Sequence, residues 1–181
     1  MGVPGGVRRT PRRVKGGSGV LAVPANGRAF PPLLPVGFHQ TDAAGLQRLC
    51  VDYFPGSRTR PRLMNTVSMV TSLASRLRLA GRIWVSGAFL SENDNPEDCV
   101  ITLVLAEDML RRLDSEQREF FDWFRSVRLY DKYRCHNYAI VLDPARADYD
   151  QLCRFWFRQY GFHGERGRGG VAELLTPTEA G

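Results

Sequence analysis

Residues 82–105 read RIWVSGAFLSENDNPEDCVITLVL, and they constrain the fold more than any other stretch. Two short apolar runs, Ile83 to Val85 and Val100 to Leu105, flank a small-residue corner, Ser86-Gly87-Ala88, and a polar loop, Ser91 to Asp98. That loop carries Pro96 and several acids. Apolar runs of this length bounded by turn signals read as buried strands. Two core strands joined in this way need helices to cover them.

The helices are legible on both sides. After Pro61, the residues Leu63, Val67, Val70, Leu73 with Ala74, and Leu77 follow helical spacing over about four turns. Gly81 is the expected stop. Arg76, Arg78 and Arg82 suit the negative end of that helix and read as a solvated face. Upstream, Thr41 is the expected cap of a helix carrying Leu46, Leu49, Cys50 and Phe54, ended by Gly56. Downstream, Ala106 to Val127 reads as two helical pieces broken near Asp114-Ser115, with Ser115 as cap. Its aromatic stripe, Phe120, Phe121, Trp123 and Phe124, reads as core rather than a base-stacking platform.

Tyr130 to Cys135 reads as a polar connection and Tyr138 to Leu142 as a third strand. A helix from Asp148 is closed by Gly161. A mobile basic loop, Gly164 to Gly170, precedes a last strand, Val171 to Leu175. Helices alternating with three or four short strands predict an α+β (mixed α/β) domain, a small mixed sheet flanked by helices, over residues 33–176. Residues 177–181 read as a frayed tail.

Residues 1–32 are rich in Gly, Pro and Arg with no apolar periodicity, and read as a disordered basic arm. Of the net charge of +6, five positive charges belong to Arg8, Arg9, Arg12, Arg13 and Lys15, so the folded part is nearly neutral. The arm reads either as a nucleic-acid contact or as an unselected extension, and the second reading is favoured. No apolar run approaches the roughly 20 residues of a membrane helix. Four scattered cysteines, Cys50, Cys99, Cys135 and Cys153, with no CxxC pair and no secretion signal, fit reduced thiols and a cytoplasmic protein. Three histidines, none spaced with a cysteine pair, do not fit a zinc site.

A nucleotidyl-transferring site needs small residues at a strand corner, so that backbone N–H groups can approach phosphate. It also needs two carboxylates at i and i+2 of a strand, sharing a face, and a third from a neighbouring strand, to hold paired Mg²⁺. Trp84 to Ser91 followed by Asn95-Pro96-Glu97-Asp98 resembles the core motif of small nucleotidyltransferase-like proteins of the polymerase-beta superfamily, in a poorly characterised bacterial and phage branch. The segment Leu34-Pro35-Val36-Gly37-Phe38-His39 is similar to that branch's opening. Leu113 to Glu119 is similar to its middle helix. Gln159 to Arg166 with Gly169-Gly170-Val171 is similar to its closing pattern.

The resemblance implies a nucleotidyltransferase-like fold and, as possible cofactors, Mg²⁺ and a nucleoside triphosphate. Asp98 falls at the first metal carboxylate and is the implied catalytic residue. Ser86, Gly87, Ala88 and Ser91 fall at the phosphate cradle. Three departures stand out. The corner is Gly87-Ala88 where the motif has Gly-Ser. The second carboxylate position holds Val100. The third offers only His136 or Asn137, so the implied metal set is Asp98 with His136. Glu97 cannot stand in for Val100, because adjacent strand residues face opposite sides. Asp98 reads equally as a solvated acid at a loop end. The expectation is a degenerate nucleotidyltransferase-fold protein that binds a nucleotide or a partner protein, with an antitoxin-like role as one version. The alternative is an active metal-dependent enzyme moving a nucleoside monophosphate to a protein or RNA.

Overall fold

The computed structural model describes residues 30–143, 145–160, 163–164 and 167–176. In chain order its elements are β1 (Phe38–Gln40), α1 (Ala43–Gln47) running into a π-helical turn (Arg48–Asp52), α2 (Arg60–Arg76), β2 (Arg82–Ser86), a 3-10 turn (Ala88–Leu90) and β3 (Cys99–Leu105). They continue with α3 (Glu107–Arg112), α4 (Ser115–Ser126), α5 (Leu129–Tyr133), β4 (Cys135–Val141), α6 (Tyr149–Tyr160), β5 (His163–Gly164), β6 (Gly167–Arg168) and β7 (Val171–Leu175).

The strands flanking the corner pair antiparallel, with Ser86 opposite Val100 and Trp84 opposite Thr102. β4 joins β3 in parallel, and β7 joins the other side of β2 antiparallel. β1 closes the far edge parallel to β7. The sheet order is β1-β7-β2-β3-β4, and β5 and β6 form a separate hairpin. The domain is α+β. The last strand expected from the sequence lies inside the sheet, between β1 and β2.

Strand alternation sorts the side chains into two layers. Ile83, Val85, Cys99, Ile101, Leu103, Leu105, Cys135, Ala139, Ala172 and Leu174 share a core with Val67 and Val70 of α2 and Phe121 and Phe124 of α4. Trp84, Val100, Val104, Tyr138, Ile140 and Val171 face the other way and meet Trp156 of α6. Phe38 bridges this second layer, its ring centroid 4.6 Å from Trp84 and 5.4 Å from Phe157. All residues of β3 are buried, as expected of a strand covered on both faces.

Several boundaries differ from the sequence reading. Asp42, not Thr41, caps α1, its carboxylate accepting from Gly45 N at 2.6 Å. Asp114, not Ser115, caps α4, in a reciprocal box with Gln117. α2 ends at Arg76, before the stop expected at Gly81, and Arg78 takes a left-handed turn at φ 49°. Tyr130 and its neighbours form α5 instead of an irregular connection. β4 begins at Cys135, so His136 and Asn137 lie inside a strand. Arg82 is a strand residue whose Nη1 donates to Tyr149 Oη, not part of a solvated helix end. In place of an open loop, residues 163–164 and 167–168 pair as a hairpin, and 165–166 lie outside the described residues. Gly161, residues 177–181 and most of the arm, 1–29, also lie outside them. The last arm residues do pair: Glu92 N donates to Pro31 O at 2.8 Å and Leu33 N to Leu90 O at 2.9 Å.

Two of the motif segments meet. Gly170 N donates to Leu34 O at 2.9 Å and Val171 N to Gly37 O at 2.8 Å, so the opening segment clasps the start of β7. His39 Nε2 lies 2.8 Å from Pro35 O within the same clasp. A Cβ on Gly170 would collide with Pro35 O and lie 2.8 Å from Leu34 Cβ. Gly170→Ala is therefore expected to cost about 2–3 kcal/mol, in the range of an overpacked core. Urea unfolding should show a lower midpoint with an unchanged slope.

Candidate functional site

The site forms where β2 ends and β3 and β4 begin. Val100 and His136 are register partners in the parallel ladder, and both project to the α6 side of the sheet. Asp98, two residues before Val100, reaches across so that its Oδ2 lies 3.4 Å from His136 Nε2. Each of the two side chains is about a third exposed, 33% and 35%. The His136 ring stacks on Tyr130, with centroids 4.5 Å apart and planes tilted by 24°. The Arg134 guanidinium lies 5.2 Å from the Tyr130 centroid. Tyr130 and Arg134 were missed in the sequence because their segment reads as a polar connection. The alternation of aromatic and basic residues there carried the only signal.

The corner itself is tighter than the motif implies. Gly87 has φ 89°, and a Cβ there would lie 3.3 Å from Val100 Cγ2 and 3.4 Å from its backbone N. Glycine is needed both for the backbone angle and for this approach. Beyond it the chain makes a single 3-10 turn starting at Ala88, without a long helix whose N-terminus could face phosphate. Ser86 is 2% exposed. Ser91 is 1% exposed, and its hydroxyl donates to Ala88 O at 2.7 Å. That hydroxyl is therefore engaged within its own turn. Of the residues implied by resemblance, Asp98 and His136 come together at the surface, Gly87 and Ala88 lie beside them, and Ser86 and Ser91 are enclosed.

The loop between β2 and β3 is held from beneath by Arg60, which the sequence reading passed over. Its side chain is fully buried, with the guanidinium 3.6 Å from the centre of the Phe54 ring. It donates to Cys50 O at 2.8 Å, Phe89 O at 2.9 Å and Asn93 O at 2.6 Å, and also to Ser91 O. Burial lowers the pKa of this guanidinium, while the nearby Cys50 and Asp94 favour its charged form. Asn95 adds a second tie, its Oδ1 accepting from Arg58 N at 2.8 Å. The loop that delivers Asp98 is thus fixed to the start of α2.

Asn137 turns away from the site. Its Nδ2 donates to Phe124 O at 2.5 Å and Val127 O at 3.1 Å, and its Oδ1 accepts from Leu129 N at 3.2 Å. It satisfies the end of α4 and the start of α5. Further along the α6 face lies a second acid, Glu173, in the row of Trp84. Its Oε2 accepts from Trp84 Nε1 at 2.8 Å and lies 3.8 Å from Arg82 Nη1, and its Oε1 accepts from Gln40 Nε2 at 3.5 Å. Among the described residues, no group of three or more His, Cys, Asp or Glu side chains is placed to hold one metal ion. None of the described helices is long and apolar enough to cross a membrane.

A family model matches residues 29–174. The chain belongs to DUF6932, a family of unknown function. The match runs from before β1 to Leu174, within β7, and includes Asp98, His136, Arg60 and Asn137, so this DUF6932 domain takes in the main sheet up to that residue and the site. Neither a curated protein nor a solved structure matches the chain.

Proposed function

We propose that this DUF6932 chain is a nucleotidyltransferase-like module that binds a nucleotide and lacks efficient two-metal transfer. The observation that carries this reading is the convergence of Ser86-Gly87, Asp98, Val100 and His136 at one end of β2, β3 and β4. These are the positions at which the resembling motif has its corner and its acids, with only one carboxylate among the three acid positions. Mg²⁺ gives up its waters reluctantly and is held by one or two carboxylates together with substrate phosphates. One aspartate beside an imidazole supplies half the charge of a two-carboxylate cage. Loss of a preorganised charge-stabilising group costs on the order of 10²-fold in rate.

Titration calorimetry with ATP and GTP, in Mg²⁺ and in EDTA, tests the reading. Binding is expected in both buffers, with affinities within about threefold of each other because the metal adds little. His136→Ala should weaken it in both buffers. No heat and no thermal shift with any nucleotide would remove the nucleotide reading and leave a partner protein as the ligand. Label transfer from an α-labelled nucleoside triphosphate, lost in Asp98→Ala, would replace it with the active-enzyme reading.

A further inference from the structure

On the opposite face of the strands that carry Asp98 and His136 lies a pair of thiols. Cys99 and Cys135 are direct register partners in the parallel β3–β4 ladder. Both are fully buried, and their Sγ atoms are 2.9 Å apart. Neighbouring strands stand about 4.8 Å apart, a Cα separation that a disulfide can bridge. Direct partners also point to the same side, so the two Cβ atoms lie side by side. We propose that Cys99 and Cys135 form a reversible intrachain disulfide that links β3 to β4 beneath the Asp98–His136 pair.

The oxidant is a small-molecule disulfide such as oxidised glutathione. One cysteine thiolate attacks a sulfur of that disulfide and expels a glutathione thiolate. The other cysteine loses its proton and attacks the protein-bound sulfur, expelling the second glutathione. Two cysteine S–H bonds and one glutathione S–S bond are exchanged for one protein S–S bond and two glutathione thiols. The protein gives up two electrons, and the two protons end on glutathione.

Burial raises the Cys99 thiol well above its ordinary pKa, so the closed state protects the pair. Access comes through β4, the last strand of the sheet among the described residues. Edge elements open at lower cost than the whole fold. Because Asp98 adjoins Cys99 and His136 adjoins Cys135, closing the sulfurs to bonding distance moves the backbone on both sides of the surface pair. The thiol pair is thereby a redox input to the site.

The test uses the full chain, incubated under native conditions with oxidised glutathione, acid-quenched, alkylated in denaturant and analysed by peptide mass spectrometry. A linked Cys99–Cys135 peptide pair lacking two hydrogens and restored by dithiothreitol is expected. The backbone amide resonances of Asp98 and His136, each next to a linked cysteine, should shift in the linked protein. Cys99→Ala and Cys135→Ala should each abolish both effects. The proposal is overturned if both thiols stay free under conditions that glutathionylate the partly exposed Cys153. A link formed only in denaturant overturns it as well, and unmoved Asp98 and His136 amide resonances in linked protein overturn the coupling to the site. Nucleotide enters none of these readouts, so they are independent of the nucleotide reading.

Discussion

Replacing Arg60 with alanine is expected to cost about 3–5 kcal/mol of folding stability, the range seen when one side of a buried charged interaction is removed. The acceptors explain the size. Cys50, Phe89, Ser91 and Asn93 all present backbone carbonyls to the guanidinium, and they come from two separate segments of chain. Each buried carbonyl left without a donor costs roughly 1–3 kcal/mol. Relief from holding a buried cation offsets part of that sum. With total stability of about 5–15 kcal/mol for an ordinary domain, the variant stands close to unfolding.

The backbone origin of the acceptors gives a sharper test. A buried ion pair can often be replaced by two apolar residues without loss, because both partners leave together. Carbonyls cannot be mutated away, so Arg60→Met should fare little better than Arg60→Ala despite filling the volume. Arg60→Lys keeps the charge but has three donors at one point, where a planar fork now serves four acceptors and stacks on Phe54. It should fall between the wild type and the other two variants. Urea midpoints measure all three, and limited proteolysis should find residues 91–98 cut first. A stable, protease-resistant Arg60→Met protein would show that the carbonyls find other donors.

Arg60 also shows why part of this fold was illegible in the sequence. An arginine in a first helical turn usually faces water. Nothing local marks this one as buried, since its partners lie 10 to 33 residues away and leave no side-chain signature. By contrast β2, β3, α2 and the aromatic face of α4 are written in local periodicity and came through with small boundary errors. The two capping errors share a cause: Thr41-Asp42 and Asp114-Ser115 each offer adjacent residues able to cap, and one residue of backbone geometry decides between them. β4 was read as starting late because His136 and Asn137 are polar. Each is satisfied on its own side of the strand, by Asp98 and by the α4–α5 carbonyls. The position of β7 within the sheet depends on which edges remain free, and no local pattern records that.

The opposite orientations of His136 and Asn137 lead to the second large effect. Asn137→Asp is expected to destabilise the domain by about 3 kcal/mol at neutral pH, through two lost hydrogen bonds and two orphaned carbonyls. The introduced carboxylate would also face the negative end of α4. Its folded-state pKa would be raised above the unfolded value, so the folded state would bind the extra proton. The penalty is then greatest above the folded pKa and shrinks as pH falls toward the unfolded one. His136→Asp puts the same carboxyl on the partly exposed face beside Asp98, where water solvates it and the stability change should stay below about 1 kcal/mol. Thermal melts with and without Mg²⁺ separate the two positions. Under the nucleotidyltransferase-like reading, only His136→Asp should gain a metal-dependent rise in Tm, since only that position returns a second acid to the site. A Mg²⁺ response in Asn137→Asp, or in neither variant, would mean that the end of the sheet at Gly87 is not where a metal-binding ancestor held its ions.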